Sequence, residues 1–159
     1  MKRRATIRDL PFIAKLIFDG AKHKHFDTGI LAFKGKFFFL VHLYLMIHKG
    51  YGFSGGQKRL MEVFIWNKNK KPIGFVVSAK DPEELLLTAI SPQHRGKGYG
   101  REMLDSFITN YIAKKEMVCA RCYQESKIMR NYLLSREFKI MDKSSSGNTF
   151  LIANYKGNS

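Results

Sequence analysis

The sequence predicts a mixed α+β fold with about four helices. Three observations carry that prediction. Strand-like and helix-like hydrophobic patterns alternate along the chain. Two pairs of apolar segments joined by short polar turns read as hairpins. A strand, a Gly-rich turn and a helix also follow one another without a break from Leu85 to Lys115. At 159 residues, 45% hydrophobic and 13% aromatic, the chain can bury a substantial core and is too apolar for disorder. A single domain over residues 1–159 is therefore expected.

Each element has a local reason. Ala5 to Arg8 reads as a short strand, and Asp9 with Pro11 makes a good helix start. Phe12, Ile13, Leu16 and Ile17 then share one helical face. Residues 20–35 are rich in glycine and turn formers. His23 and His25 in that segment, with only Asp27 nearby, read as a solvated loop rather than a metal pair. A second, very apolar helix is expected from Lys36 to Lys49, ended by Gly50. Its residue His42 reads as a packed histidine rather than a ligand. Leu60–Asn67 and Ile73–Lys80 form a hairpin across a Lys/Asn turn, and Asp81-Pro82 leads into the apolar run Leu85–Ile90. A helix from Arg101 to Lys115 follows, then a strand from Met117 to Cys122 and a helix from Ser126 to Arg136. A last hairpin pairs Phe138–Asp142 with Thr149–Tyr155 across Ser144–Gly147.

The most informative stretch is Ser91-Pro-Gln-His-Arg-Gly-Lys-Gly-Tyr-Gly-Arg101. Glycines bring the backbone close to a ligand and leave amide groups uncovered, and a following helix start adds unpaired donors. With Arg95, Lys97 and Arg101 around it, the turn suits a pyrophosphate or phosphate ester. A P-loop is excluded because Tyr99, not Lys-Ser/Thr, follows Gly98. A dinucleotide turn is excluded because Gly96, Gly98 and Gly100 are spaced differently and no acidic residue lies about 20 residues on at the end of a clear second strand. The spacing Arg/Gln-x-x-Gly-x-Gly/Ala does fit, as Arg95-Gly96-Lys97-Gly98-Tyr99-Gly100. A second frame from Gln93 also fits, but the first puts its last glycine at the helix entry.

With this motif, the chain resembles the GNAT superfamily of acyl-coenzyme A transferases, and its element order matches that family over essentially its whole length. The resemblance implies a twisted, mostly antiparallel sheet whose fourth and fifth strands are parallel and splay apart. It implies acetyl-CoA as cosubstrate, with no metal. The pyrophosphate would lie on Arg95, Gly96, Lys97, Gly98, Tyr99, Gly100 and Arg101. The thioester and pantetheine arm would lie along Thr88, Ala89 and Ile90, through the free amides of Thr88 and Ile90. Glu84, four residues before Thr88 and followed by Ala89-Ile90-Ser91, stands where the histone-acetylating branch carries a general base. The family often places a general acid on a tyrosine within a Tyr-x-x-x-Gly-Phe ending. Here Leu133 fills that position, Tyr132 is one residue early, Glu137 replaces the glycine, and Ser126 stands where asparagine is common. One residue turns a helix by about 100°. Tyr132 remains the first candidate for the acid and Tyr123 the second.

Cys119 and Cys122 lie three apart on a strand and would face opposite ways, so they read as ordinary strand cysteines. The longest apolar block, Phe37–Ile47, is well short of a membrane span, and Lys2-Arg3-Arg4 has no apolar stretch behind it. A cytoplasmic protein with no membrane partner is expected. The net charge of +15 is spread along the chain and favours polyanions. Three functions stay open. The first is an N-acetyltransferase acting on a primary amine of a small molecule or protein. The second acetylates aminoacyl-tRNA or another polyanionic macromolecule, as small toxins of this fold do. The third is a non-catalytic CoA-binding module. A homodimer is compatible with each.

Overall fold

The computed structural model describes residues 1–114 and 116–153. Its first strand is β1 (Lys2–Arg4), not the expected Ala5–Arg8. Thr6 and Asp9 pull the chain off the sheet edge into a short 3-10 turn, Ile7–Asp9. There the Asp9 carboxylate accepts from the Thr6 amide (2.8 Å) and is held by the Arg3 guanidinium. Helix α1 (Leu10–Lys22) starts at Asp9-Leu-Pro, and its buried Ile13, Leu16 and Ile17 match the apolar face seen in the sequence. Helix α2 (Phe33–Lys49) starts earlier than expected and ends at Gly50 in the left-handed conformation, φ 70°.

Strand β2 (Tyr51–Ser54) is an element the sequence reading did not resolve. It turns at Gly55–Gly56 and pairs with the first part of the long β3 (Gln57–Lys68). Strand β1 occupies the same edge of β3 further along. The hairpin to β4 (Lys71–Ala79) closes through Asn69 and Lys70, both at positive φ. Next come β5 (Glu83–Ile90), α3 (Tyr99–Ala113), β6 (Val118–Cys122), α4 (Lys127–Leu134), β7 (Lys139–Lys143) and β8 (Thr149–Ala153). The expected ends at Lys115 and Tyr155 lie outside the described residues.

The sheet order is β1-β3-β4-β5-β6-β8-β7, and β5–β6 is its parallel pair. These are the strands expected as fourth and fifth, renumbered by the extra β2. Side chains alternate across the sheet as strand geometry requires. Phe75 and Val77 pack under α1 and α2 with Ile13, Ile17, Leu43 and Met46. Val76, on the other face, packs with Met103, Phe107 and Ile108 of α3 and Leu133 of α4. Trp66 is buried in this second core. One face of α2 has no cover: Phe33 is 88% and Phe38 68% exposed.

Candidate functional site

Strands β5 and β6 pair only from Glu83 to Leu85, opposite Val118 to Ala120. Beyond Leu85 they part. Arg121 and Cys122 keep their partners on β8, while Leu87 to Ile90 pair only with β4. The β4–β5 register shifts between Val77 and Ser78, with Leu86 unpaired between the two registers. Such an irregularity bends a strand and increases its twist, which suits a strand leaving its neighbour.

The alternation of the backbone decides which amides are free. The Ser91 amide donates to Ile73 O (2.8 Å), on the β4 side. Ala89 therefore also directs its amide toward β4, whereas Ile90 and Thr88 direct theirs into the opening. The Thr88 hydroxyl is used elsewhere, donating to Phe75 O (3.1 Å). Main chain, not side chain, lines this part of the groove.

The turn after β5 is built around Ser91. Its hydroxyl meets His94 Nδ1 at 2.8 Å, and Arg95 reaches back to donate from Nε to Ile90 O at 3.0 Å. Gly96 and Gly98 hold φ of 71° and 82°, a region that costs an L residue about 1–2 kcal/mol. A Cβ at either would meet nothing within 4 Å, so the demand is conformational rather than steric. The amides of residues 96–101 have no acceptor among the described residues, and helical bonding begins with Glu102 N to Gly98 O (3.1 Å). Lys97 folds back on Gln93 O (2.9 Å), and Lys68 lies 4.3 Å over the Tyr99 ring. The result is a ring of donors at the N-terminus of α3, which is an anion site by construction.

Glu84 and Tyr132 are both engaged by charged neighbours. Glu84 lies in the closed, paired part of β5, and the residue is 5% exposed. One oxygen is bound by Arg59 Nη1 and the other by Arg121 Nε (3.1 Å). Tyr132 donates its hydroxyl to Asp105 on α3 (2.7 Å), and Arg136 bonds the same carboxylate. Helix α4 is regular, so Leu133 turns into the core and Tyr132 turns toward α3. Burial, then the Asp105 carboxylate, push the Tyr132 hydroxyl well above the usual tyrosine range. Tyr123 is half-buried; burial, then the Asp27 charge, raise its hydroxyl above the usual tyrosine range as well.

His25 is a group the sequence reading placed in a solvated loop. It is instead half-buried, its Nδ1 3.4 Å from the Ser126 hydroxyl that precedes α4. Burial first, then the nearby Arg95 and His23, hold it below the ordinary imidazole range, against an upward pull from Glu125. No local pattern could have predicted a contact across 101 residues of sequence. Cys119 and Cys122 are both buried, and burial pushes the Cys122 thiol up to about 11. Among the described residues, no three His, Cys, Asp or Glu side chains come together as a metal site would need.

The sequence profile of the acetyltransferase (GNAT) family matches residues 42–131, a span that holds the open strand, the glycine turn and α3. The chain belongs to the GNAT acetyltransferase family. A sequence search of curated proteins gives no match. Among solved structures, the chain is similar to the PaiA N-acetyltransferase of Thermoplasma acidophilum in complex with coenzyme A, at 15% identity over 98% of both chains, TM-score 0.68. It is similar to the ribosomal-protein-alanine N-acetyltransferase of Brucella melitensis, at 16% identity over 96% of this chain and 98% of that one, TM-score 0.67. YncA of Salmonella typhimurium, solved with acetyl-CoA, shares 14% identity over 100% of this chain and 96% of that one, TM-score 0.67. At such identities the likeness is one of fold, and the GNAT sheet with its parted parallel strands is that fold.

Proposed function

We propose that this GNAT protein transfers the acetyl group of acetyl-CoA directly to a primary amine of a small molecule or protein. One observation carries the reading. The unpaired amides of residues 96–101 adjoin the end of β5, whose Thr88 and Ile90 amides point into the strand opening. The loop amides, with Arg101 and the α3 N-terminus, would hold the pyrophosphate. The Thr88 and Ile90 amides would bind the pantetheine arm and the thioester carbonyl, stabilising the oxyanion as the amine attacks. Main-chain donors on a paired strand need little reorganisation during the reaction. Arg95 contributes by fixing the Ile90 carbonyl and hence the end of the strand.

Proton transfer is less well served by the candidates read from the sequence. Both oxygens of Glu84 are engaged by guanidinium groups, which favours a structural ion pair between β3, β5 and β6. Tyr132 donates its hydroxyl hydrogen bond to Asp105, which favours a clamp between α4 and α3. A polyanionic acceptor such as aminoacyl-tRNA gains support from one feature beyond the +15 charge: no Asp or Glu occurs between Asp27 and Glu62, the segment containing α2 and β2. A steep loss of binding with salt would mark that acceptor.

The test is calorimetric binding of CoA, run beside thioester cleavage of acetyl-CoA with pooled small amines, peptides and charged tRNA. Turnover with small amines or peptides is the expected result. Turnover with charged tRNA alone would replace this acceptor class with the polyanionic one. Tight CoA binding without turnover on any pool would favour a non-catalytic binder.

A further inference from the structure

The arrangement around His25 is built from both lips of the strand opening. From the β5 side, Arg95 folds back onto the Ile90 carbonyl and lies close enough to His25 for its charge to act on the ring. From the β6 side, Ser126 ends the segment that follows the strand and places its hydroxyl 3.4 Å from Nδ1. Because β5 and β6 are parallel, both lips are C-terminal ends on one rim of the sheet. The imidazole therefore lies beside the segment that follows β6, within electrostatic reach of the arginine on the β5 lip.

The loop carrying His25 is anchored at several points. The His25 amide donates to Gly20 O (3.0 Å), and Lys24 takes a left-handed φ of 58° just before it. The Phe26 ring presses so closely on Gly20 that a Cβ there would come within 2.6 Å of it. The ring of His23 stacks alongside His25, centroids 6.5 Å apart. Nε2 has no partner among the described residues. With the proton on Nδ1 accepted by Ser126 Oγ, the Nε2 lone pair faces no competing donor.

We propose that His25 is the proton carrier of acetyl transfer, taking a proton at Nε2 from the attacking amine and returning it to the sulfur of coenzyme A. The step rests on the acetyl-transfer reading above and balances without another reactant. The amine nitrogen bonds to the acetyl carbon and loses a proton to Nε2. The carbon–sulfur bond breaks as the tetrahedral intermediate collapses. The proton then passes from Nε2 to the departing thiolate, giving amide, free thiol and neutral histidine. Arg95, His23 and Glu125 are the charged or titratable neighbours of the ring; burial first, then Arg95 and His23, outweigh the carboxylate and favour the neutral imidazole, as a base must be. The same desolvated site would make the imidazolium a ready donor to sulfur.

The experiment combines histidine NMR with kinetics on the full chain. Addition of CoA should shift the His25 imidazole resonances, identified by their loss in His25→Gln, and leave those of the exposed His48 in place. With an amine that turns over, His25→Gln should lower kcat by about 100-fold or more. Its affinity for CoA should stay within about threefold, and the acid-side fall in kcat/KM, centred below the ordinary imidazole range, should disappear. Added imidazole should restore part of the rate to His25→Ala. CoA that binds without moving the His25 resonances overturns the proposal and leaves the acetyl-transfer reading standing. An unchanged kcat or pH profile in His25→Gln overturns it too. Failure of the wild-type protein to bind CoA removes both.

Discussion

At the scale of single residues, identical side-chain chemistry serves binding, catalysis or packing according to what surrounds it. Tyr132 is the clearest case. Its neighbour Leu133 occupies the inward position of α4, so the tyrosine turns to Asp105 and acts between helices. Tyr132→Phe should lower stability by about 1 kcal/mol through the lost hydrogen bond while changing kcat/KM less than threefold, as roughly estimated from hydrogen-bond deletions. Chemical denaturation and initial rates measure the two quantities; a kcat loss of several orders would restore Tyr132 as the acid. Glu137 is the opposite case. It stands where the family's ending has glycine and still adopts φ of 66°. The backbone keeps the left-handed helix end and bears the strain. Glu137→Gly should therefore raise stability by about 1 kcal/mol, net of the extra freedom glycine gains when unfolded. An unchanged or lowered denaturation midpoint would show that Glu137 makes a compensating contact.

At the scale of elements, the site depends on how closely two strands approach and how two others part. Gly74 on β4 sits opposite Ile90 on β5. A Cβ at Gly74 would meet Ile90 Cδ1 at 2.4 Å and the Ala89 carbonyl at 2.8 Å. The second contact is backbone and cannot be relieved by a rotamer. Gly74→Ala should thus displace the last residues of β5, costing about 1–3 kcal/mol of stability as an overpacking change. It should also weaken CoA binding, although no side chain of Gly74 could touch a ligand. Calorimetry on the folded variant checks this, and unchanged affinity would mean that the Thr88–Ile90 amides do not hold the ligand. The Lys80 ammonium links Glu62, Glu83 and the Tyr111 hydroxyl across β3, β4, β5 and α3. Desolvation disfavours its charge, but these bonds outweigh that and hold its pKa up. With Arg59 and Arg121 on Glu84, this network ties the closed end of β5 to its neighbours, while the other end stays open.

For the whole molecule, the predictions concern charge and pH. Folding lowers the proton affinity of His42 through burial, and that of His25 through burial and its cationic neighbours. His42 Nε2 accepts a bond from the Phe53 amide (2.8 Å), which needs the neutral ring and ties α2 to β2. Below about pH 6.5 the unfolded chain binds more protons than the folded one at these sites. Their contribution to stability is therefore complete above that pH and is lost as the pH falls through the lower folded values. The urea midpoint should decline from pH 7.5 to 5.5, and His42→Gln should decline less steeply. An equal slope in wild type and variant would assign the effect to other groups. Asp9, held low chiefly by Arg3, acts in a separate, more acidic window.

The sequence by itself determined the order of elements, the position of the glycine turn and the family that turn resembles. These are local properties: hydrophobic period, turn chemistry and the spacing of Arg95, Gly98 and Gly100 along one stretch of chain. The family resemblance pointed to the Thr88 and Ile90 amides, but only the bond from the Ser91 amide to Ile73 O, a contact between β5 and β4, sets the alternation that turns them away from β4. The sequence did not resolve β2, whose four residues are too few to show a period. The partners of charged and polar side chains were decided only by the tertiary structure. Glu84 meets Arg59 and Arg121, Tyr132 meets Asp105, and His25 crosses to Ser126, through contacts 25 to 101 residues apart in sequence. Such pairings depend on where the sheet brings distant segments together, and no local pattern encodes them.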